Sequence, residues 1–446
     1  MPREQILDKI ITTFLLNTCR MRPQISKHAL QAGLLKCVEL VPGDHKEADS
    51  IPLTTGSVAE FYIEPMLPHV GDVDVMYHWS IELAMPRGHP PPTQLPAEFS
   101  DYVQVYEIVD SHLPGYVYLE FRYLLAYCTD NDKYNYFECD NRPILNVLTT
   151  WSSIEGDSRT RHGPATFTDL SRTSLLNVDT VHCVRCLSWP PQAADWPTRH
   201  RNHGWPESAT VDRVVNNGCD VVHVAHRQCR QHKLMSLLQW RLSFSRAEIV
   251  LINSWTPVQQ IVYHMLRVFM KTERLTDSGV NSESIAVSNY HIKTLMLWTC
   301  EREPRSWWTR NLNLIRMCAM LLRTLSIWLT VARCPHYFID NCNLLDSFCG
   351  LEVITSQLMS IDETWLSTWF VNNYIRKCSE LCPDNVSRMF NDIGTTMKLQ
   401  KAVSAIVDWR LNTALEDKWV LFLIADFLIP ADVSRLPDLT VRSFVL

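Results

Sequence analysis

Residues 54–79 (TTGSVAEFYIEPMLPHVGDVDVMYHW) constrain the fold more than any other segment, because they join a small turn to an acidic strand. Asp72 and Asp74 lie two residues apart in an apolar run. Side chains alternate faces along a strand, so both carboxylates are expected on one face. Gly56 and Ser57 form a turn upstream, where backbone N–H groups could hold phosphate oxygens without steric hindrance.

Two carboxylates roughly 6–7 Å apart on one strand repel each other unless a cation lies between them. Mg²⁺ prefers such oxygen ligands together with phosphate oxygens. The segment therefore predicts nucleotidyl transfer. The alternative is that the two acids form a solvated strand edge and that Gly-Ser marks an ordinary turn.

The composition indicates a globular, intracellular protein. The chain has 446 residues, of which 46% are apolar, enough for two or three domains or one large bilobed unit. No signal-type leader is recognised, and the apolar runs 317–331 and 420–429 are interrupted by charges, so no membrane span is expected. Fifteen cysteines without a secretory signal are typical of reduced thiols, which predicts a cytoplasmic location.

Charge limits how this chain can bind nucleic acid. The formal net charge is −6, so any such contact must be a local patch. Residues 199–233 hold six Lys/Arg against three acids and are the best candidate, with a solvated loop as the alternative. A zinc site at Cys183 and Cys186, or at His226, Cys229 and His232, is less favoured than ordinary packing.

Hydrophobic patterning predicts a sheet followed by helices. Strand character recurs over residues 102–128, 163–189 and 218–225, and helical spacing over 259–272, 288–302 and 314–331. Asp179 begins the second strand of 163–189. A third carboxylate from a neighbouring strand is what a two-metal site would need, although Asp179 could simply cap its strand.

The segments TTGSVAEFYIEPMLPHVGDVDVMY, GPATF with VDTVHCVRC, WRLSFSRAE and SNYHIKT occur in this order. Together they resemble the cyclic GMP-AMP synthase-like receptors of animals, within the male-abnormal (Mab) nucleotidyltransferase family. WPPQAADWP and HYFIDNCNLL are similar to that family as well, so the resemblance covers roughly residues 1–350. It implies an α+β, bilobed nucleotidyltransferase fold with a mixed β-sheet N-terminal lobe and a helical C-terminal lobe.

The resemblance also implies residue roles. Asp72, Asp74 and Asp179 would be catalytic and would hold Mg²⁺ (or Mn²⁺), while Gly56 and Ser57 would hold the donor triphosphate. Residues matching nucleotide contacts are Arg241, Ser243, Ser245, Glu248, Tyr290 and Lys293. Arg267 and Lys271 are further candidates for phosphate. Alternatively, Ser243 and Ser245 cap a helix, Glu248 is a first-turn acid and Tyr290 is a core tyrosine.

Residues 248–288 contain no cysteine, so the zinc thumb of the vertebrate synthase is expected to be absent. The resemblance then implies an enzyme that makes a cyclic dinucleotide from two NTPs, such as ATP and GTP, in innate immune signalling. Double-stranded RNA is favoured over DNA as its activator. The alternative is a catalytically inactive member that acts as a nucleotide- or partner-binding scaffold.

Three regions are expected along the chain. Residues 1–235 would form the nucleotidyltransferase core lobe with the catalytic sheet, and residues 236–350 the helical lobe. Residues 351–446 would add a further helical region whose role the sequence does not indicate.

Overall fold

A computed structural model describes residues 11–12, 15, 50–56, 60, 73–140, 143–145, 159–162, 165–168, 178–229, 237–273, 275, 287–309, 313–346 and 350–375. Within these ranges the chain forms an 11-stranded mixed sheet followed by helices. Asp72, Ser57, His232 and most of residues 351–446 lie outside the described residues.

The described strands within residues 73–79, 102–128, 163–189 and 218–225 lie in predicted runs, whereas those at 50–55, 82–86, 133–138, 159–162 and 240–243 do not. The strands are β1 (Ser50–Thr55), β2 (Val73–Trp79), β3 (Glu82–Pro86), β4 (Tyr102–Asp110), β5 (Tyr116–Cys128), β6 (Lys133–Glu138), β7 (Arg159–His162), β8 (Ala165–Thr168), β9 (Val178–Cys186), β10 (Cys219–Val222) and β11 (Trp240–Ser243). The turn between β4 and β5 contains Gly115 at φ 81, a left-handed conformation that glycine adopts without a steric penalty.

The sheet has the order β1-β2-β9-β10-β11-β5-β4-β3, and β7 and β8 join at β9. Strand β3 also pairs with β9, so six strands form a closed ring of pairings. β2 runs parallel to β9 and β3 runs parallel to β4, whereas β1 is antiparallel to β2. Parallel and antiparallel ladders in one sheet agree with the predicted mixed sheet.

Helices dominate after β9. They are α1 (Asp195–Thr198), α2 (Ser208–Asn216), α3 (Ser245–Asn253), α4 (Pro257–Thr272), α5 (Asn289–Arg302), α6 (Arg305–Thr309), α7 (Leu314–Thr330), α8 (Glu352–Met359) and α9 (Glu363–Trp369), with a π-helix at Phe370–Ile375. Across these described helices, none combines the length and apolar character that crossing a bilayer requires.

Local sequence explains where the longest helices begin. Thr256 caps α4 in a reciprocal arrangement, because its backbone N–H donates to Gln259 Oε1 at 2.8 Å and its hydroxyl accepts from the Gln259 N–H. Asn313 Oδ1 accepts from the Arg316 N–H at 2.9 Å and caps α7. Both caps satisfy N–H groups that a helix leaves without internal partners.

Both faces of β2 are covered. Val75 is buried on one face, and Met76 and His78, on the face of Asp74, are buried too. Met76 packs against Cys183 and Val222 from the neighbouring strands. The carboxylate face of β2 is therefore open only near Asp74, which is half-buried.

Candidate active site

Asp74 and Asp179 lie directly opposite each other on two neighbouring strands. The parallel pairing of β2 with β9 puts the two Cα atoms in register, and directly paired residues share a face of the sheet. Neighbouring strands are separated by roughly 4.8 Å, and both side chains are half-buried. The structure therefore brings together the two predicted carboxylates that it describes.

Gly56 lies against this carboxylate pair. In the β1–β2 ladder Thr55 is opposite Asp74, so Gly56 follows immediately, at φ +63. A Cβ added at Gly56 would be 1.9 Å from Asp74 Oδ2, closer than any atom can approach. Glycine fits here because it has no Cβ to meet Asp74 and because it adopts a left-handed backbone without a steric penalty. Its neighbour in the predicted turn, Ser57, lies outside the described residues.

The carboxylates fit a divalent cation as far as the described residues reach. Asp74 and Asp179 supply hard oxygen donors from adjacent strands, which is the ligand type that Mg²⁺ and Mn²⁺ take. Among the described ranges no group of three or more His, Cys, Asp or Glu could hold a metal ion. The third predicted ligand, Asp72, is not among those residues.

Arg241 and Ser243 share the sheet face of Asp179. Cys183 lies four residues after Asp179, and the pairing runs from Cys183 through Val222 to Arg241. Arg241 is exposed, whereas Ser243 is half-buried. The chain then turns into α3, where the Oγ atoms of Ser243 and Ser245 are 3.1 Å apart. Two hydroxyls and one guanidinium therefore lie on the face that carries the carboxylate pair.

Glu248 and Lys293 form a buried ion cluster with Glu60. Lys293 Nζ donates to Glu248 Oε2 at 2.7 Å and also binds Glu60 Oε1. Tyr263 donates its hydroxyl to Glu60 at 3.4 Å. Burial lowers the pKa of Lys293, but the two carboxylates outweigh it and hold that pKa well above its usual value. The predicted nucleotide role of Lys293 stays a prediction, and its ammonium group has two carboxylate partners.

Tyr290, the predicted base-stacking residue, lies beside this cluster. Lys293 Nζ is 5.8 Å from the centre of the Tyr290 ring, and the Tyr290 hydroxyl is 3.1 Å from His336 Nε2. Burial and the nearby Glu248 carboxylate raise the pKa of Tyr290 well above its usual value, so the phenol is neutral. The ring is half-buried.

Sequence reasoning did not identify Glu60, Tyr263 and His336 as members of this region. Glu60 lies four residues after Gly56, and helical spacing could have suggested that it follows the turn on the same side. His336 lies in HYFIDNCNLL, a segment to which no role was attached. Tyr263 lies within an apolar helical stripe and gives no sequence signal beyond that of a core residue.

The other phosphate candidates, Arg267 and Lys271, lie on α4. Arg267 is buried, with its guanidinium 5.7 Å from the centre of the Tyr263 ring. Lys271 lies in the last turn of the helix, where a cation complements the helix dipole. Their role in binding phosphate stays a prediction.

The basic segment 199–233 is partly committed to internal contacts. Arg199 Nη2 donates to Glu301 Oε2 at 2.8 Å, and Arg201 Nε is 3.5 Å from the same oxygen. The Arg199 guanidinium also lies 4.4 Å from the centre of the Trp298 ring. These two arginines therefore join the segment to α5. Arg213 on α2 is exposed and remains available to a partner.

The candidate zinc residues are packed in the protein interior or lie in a short turn. Cys183 and Cys186 are buried in β9, and Cys186 is opposite Cys219 of β10. Burial raises the pKa of Cys183 well above its usual value, which disfavours the thiolate that a metal requires. Cys229 is buried in the short helix Arg227–Cys229.

Comparison with known proteins agrees with this architecture. The Mab-21 protein nucleotidyltransferase domain matches residues 146–254, and the Mab-21 protein HhH/H2TH-like domain matches residues 253–356. The first range includes Asp179, whereas Gly56 and Asp74 precede it.

Three of the similar proteins come from insects. A protein described as "Protein mab-21-like" from Aedes aegypti is 30% identical over 171 residues, which cover 37% of this chain and 44% of the relative. The Anopheles gambiae protein of that name gives the same identity and coverage. The Drosophila melanogaster one is 29% identical over 167 residues, covering 36% and 42%. The chain thus spans less than half the length of these relatives.

The mixed sheet followed by helices, together with the two successive domain matches, confirms the predicted α+β, bilobed nucleotidyltransferase fold. The domain order agrees with the order of elements in the structure. Over residues 146–356 the chain is thus similar to the Mab-21 protein nucleotidyltransferase domain and to the HhH/H2TH-like domain that follows it.

Proposed function

We propose that this protein joins two nucleoside triphosphates, ATP and GTP or other NTPs, into a cyclic dinucleotide and releases pyrophosphate. The single observation that carries the proposal is the pair Asp74 and Asp179, in register on parallel strands with Gly56 against the first of them. Carboxylates on neighbouring strands beside a turn that only glycine can occupy support a site for a metal-bound triphosphate.

Asp74 and Asp179, with Asp72 as the predicted third acid, would hold Mg²⁺ or Mn²⁺. When bound, the cation would neutralise charge on the triphosphate and lower the pKa of the attacking ribose hydroxyl. The residues of this chain then have separate tasks. Backbone N–H groups at Gly56 and Ser57 bind the triphosphate, because no side chain at Gly56 blocks their approach.

The nucleotide itself would bind beside the carboxylates. Arg241 supplies a positive charge to phosphate, and the hydroxyls of Ser243 and Ser245 supply hydrogen bonds. Tyr290 offers a flat, neutral ring for a base. Glu248 accepts hydrogen bonds from the base or sugar. The sheet face shared by Arg241 and Ser243, the contact between the Ser243 and Ser245 hydroxyls, and the nearness of Glu248 to Tyr290 support this assignment. Lys293 contributes by holding Glu248 in place.

We propose double-stranded RNA, rather than DNA, as the activating ligand in cytoplasmic innate immune signalling. The absence of cysteine between residues 248 and 288 and the exposed Arg213 support a nucleic-acid contact without a zinc thumb. We also propose the division into residues 1–235, 236–350 and 351–446. Double-stranded nucleic acid would act by ordering the active-site region, a step that depends on phosphate contacts and therefore on salt.

The test is incubation of the purified protein with the four NTPs, Mg²⁺ or Mn²⁺, and duplex RNA or DNA, followed by mass spectrometry of the products. A cyclic dinucleotide that forms with RNA and disappears in Asp74→Asn and Asp179→Asn supports the proposal. Full activity of the double variant would overturn the assigned site. Nucleotide binding without any product, under every ligand, would instead favour a catalytically inactive scaffold.

A further inference from the structure

Residues 334–344 form a closed loop whose role the proposed function does not use. Pro335 and Asn343 form an antiparallel bridge, and the Cys334 N–H donates to Asn343 Oδ1 at 2.8 Å. The His336 N–H donates to the Cys342 carbonyl, also at 2.8 Å. The loop therefore holds His336 at a fixed position, independent of what lies around it.

The loop is attached to the turn that carries the nucleotide-contacting serines. Phe338 stacks on Phe244 with ring centres 4.6 Å apart and planes 15° from parallel. Phe244 lies between Ser243 and Ser245. Aromatic pairs of this kind add about 0.5–1.5 kcal/mol beyond burial. The His336 ring also lies 5.6 Å from the Phe244 ring. The loop thus contacts the β11–α3 turn through Phe338 and His336, and it contacts Tyr290 through His336.

The hydrogen bonds of His336 determine its tautomer. Its Nδ1 atom is 3.1 Å from the backbone N–H of Phe338 and 3.1 Å from that of Ile339. Both groups are donors, so Nδ1 must accept and carries no proton. The His336 ring is buried and lies near Arg241. Burial first, and then the Arg241 charge, lower the pKa of His336 to about 3, so the imidazole is neutral. The single ring proton therefore resides on Nε2.

This proton decides the orientation of the neighbouring phenol. His336 Nε2–H donates to the Tyr290 hydroxyl oxygen at 3.1 Å. Because that oxygen already accepts a hydrogen bond from His336, the phenol O–H is left to donate away from the histidine. Glu248 lies close enough to raise the pKa of Tyr290, and its carboxylate can only accept. The order of donation is thus His336 to Tyr290, with the phenol proton turned away from His336.

We propose that His336 is a positioning residue, which fixes the Tyr290 ring and turns its hydroxyl proton away from the histidine, so that the ring is pre-set for a nucleotide base. The inference rests on the proposed function for its nucleotide, but the donation order can be tested without it. His336 acts through Tyr290 and does not itself touch substrate. Pre-set contacts reduce the entropy that binding must overcome.

The first experiment reads the tautomer in the full chain. Nitrogen-15 NMR of labelled histidine, assigned by comparison with His336→Gln, should show a protonated Nε2 and an unprotonated Nδ1. A proton on Nδ1 would overturn the donation order. Labelled-tyrosine spectra should show the Tyr290 resonance shifting in His336→Phe, and an unshifted resonance would also overturn it.

The second experiment is a double-mutant cycle on nucleotide affinity, measured by calorimetry with ATP and with GTP in the presence of Mg²⁺. His336→Phe should weaken binding about fivefold, as expected for one buried hydrogen bond. His336→Gln, which keeps an N–H near the Nε2 position, should recover binding to within about twofold. In a Tyr290→Phe background, His336→Phe should have no further effect. An undiminished effect there would mean direct contact with substrate and would overturn the inference.

His264 is the matched control. It is equally buried, its Nε2 atom is 2.8 Å from the Tyr374 hydroxyl, and its pKa is also lowered to about 3, with burial as the main cause. His264→Phe should reduce stability and leave nucleotide affinity unchanged. Equal loss of affinity in both histidine variants would overturn a specific role for His336. Failure of the unaltered protein to bind either nucleotide would overturn the proposed function. If the unaltered protein binds nucleotide and His336→Phe binds it equally well, only the positioning role of His336 is overturned.

Discussion

Gly56 gives the sharpest test at the scale of single residues. Gly56→Ala places a methyl group where Asp74 Oδ2 lies, and it requires alanine to adopt φ +63. The left-handed backbone costs about 1–2 kcal/mol, and the carboxylate must also move. Displacement by about 1 Å reduces a catalysed rate on the order of 100-fold. We expect that loss of nucleotide turnover in a steady-state assay, together with a lower free energy of unfolding in urea.

Gly88 provides the matched control for this substitution. It has φ +78, yet a Cβ there would meet nothing within 4 Å. Gly88→Ala should therefore cost only the backbone penalty of about 1–2 kcal/mol and leave turnover unchanged. Equal turnover in the two alanine variants would contradict the steric dependence of the site on Gly56.

Lys293 is the second test at this scale, because it balances two buried carboxylates. Lys293→Met leaves Glu60 and Glu248 buried without their cation, and breaking a buried pair in this way costs about 3–5 kcal/mol. We expect this loss in the free energy of unfolding measured with urea. Lys271→Met, in the last turn of α4, should change stability by about 0.5 kcal/mol or less.

The pH dependence of the Lys293 effect follows from the sign of its shift. Its pKa is raised in the folded state, so the stabilisation is complete below the unfolded pKa of about 10.4 and is lost only as pH rises through the folded value. The stability difference between Lys293→Met and the unaltered protein should therefore be constant from pH 7 to pH 9. A difference that shrinks across this window would show that Lys293 is not held by the two carboxylates.

At the scale of elements, the register of β2 against β9 decides the site, and sequence could predict only part of it. Alternation along a strand put the carboxylate of Asp74 on one face, and β-branched runs indicated both strands. The direct pairing of Asp74 with Asp179 depends on how two strands roughly 100 residues apart align, which local pattern does not contain. The resemblance to a known family supplied the expectation that both acids belong to one site, but it did not supply their pairing.

The same limit explains the residues that sequence missed. Glu60 was missed because its partner Lys293 lies 233 residues further along the chain, so the ion cluster that also includes Glu248 exists only after these segments pack. His336 is brought to Tyr290 by a loop 46 residues further along. A single sequence gives the helical period of α4, α5 and α7, but no periodicity states which helix a buried charge will face.

The contact between α4 and the π-helix gives a prediction at this scale. His264 is buried with a pKa lowered to about 3, first by burial and then by the charge of Arg267. Its unfolded pKa is about 6.5, so the unfolded state binds the extra proton below that pH. Stability is therefore full above pH 6.5 and is lost as pH falls toward 3, with a slope of up to about 1.4 kcal/mol per pH unit.

His264→Phe removes the imidazole that takes up a proton on unfolding. It should therefore reduce the slope of stability against pH below pH 6.5 by up to about 1.4 kcal/mol per pH unit. The variant should be less stable than the unaltered protein at pH 7.5, because the hydrogen bond between His264 and the Tyr374 hydroxyl is lost, and the two curves should converge at low pH. Urea unfolding at pH 7.5, 6.5 and 5.5 measures both. Parallel curves would mean that His264 is protonated normally.

At the scale of the whole molecule, charge limits how RNA can be bound. A chain with net charge −6 has no general attraction for phosphate, and two arginines of the basic segment are bound to Glu301. Duplex RNA would therefore meet few cations in this segment. We expect binding to depend on salt through a small number of phosphate contacts rather than through a broad positive surface.

Substitutions of Arg213 and Arg199 distinguish a cation that binds RNA phosphate from one that forms an internal ion pair. Arg213→Gln removes an exposed cation on α2, so it should weaken duplex RNA binding and reduce the slope of log K against log salt by about 0.9.

Arg199→Gln removes a partner of Glu301 and the contact with Trp298, so it should lower the free energy of unfolding by about 2–3 kcal/mol. Its RNA affinity should be unchanged at a temperature where the variant is folded. Fluorescence anisotropy with labelled duplex RNA at several salt concentrations, alongside urea unfolding, measures both quantities. A weakened RNA affinity in Arg199→Gln with unchanged stability would mean that this guanidinium binds phosphate and that its contact with Glu301 is exchanged for RNA.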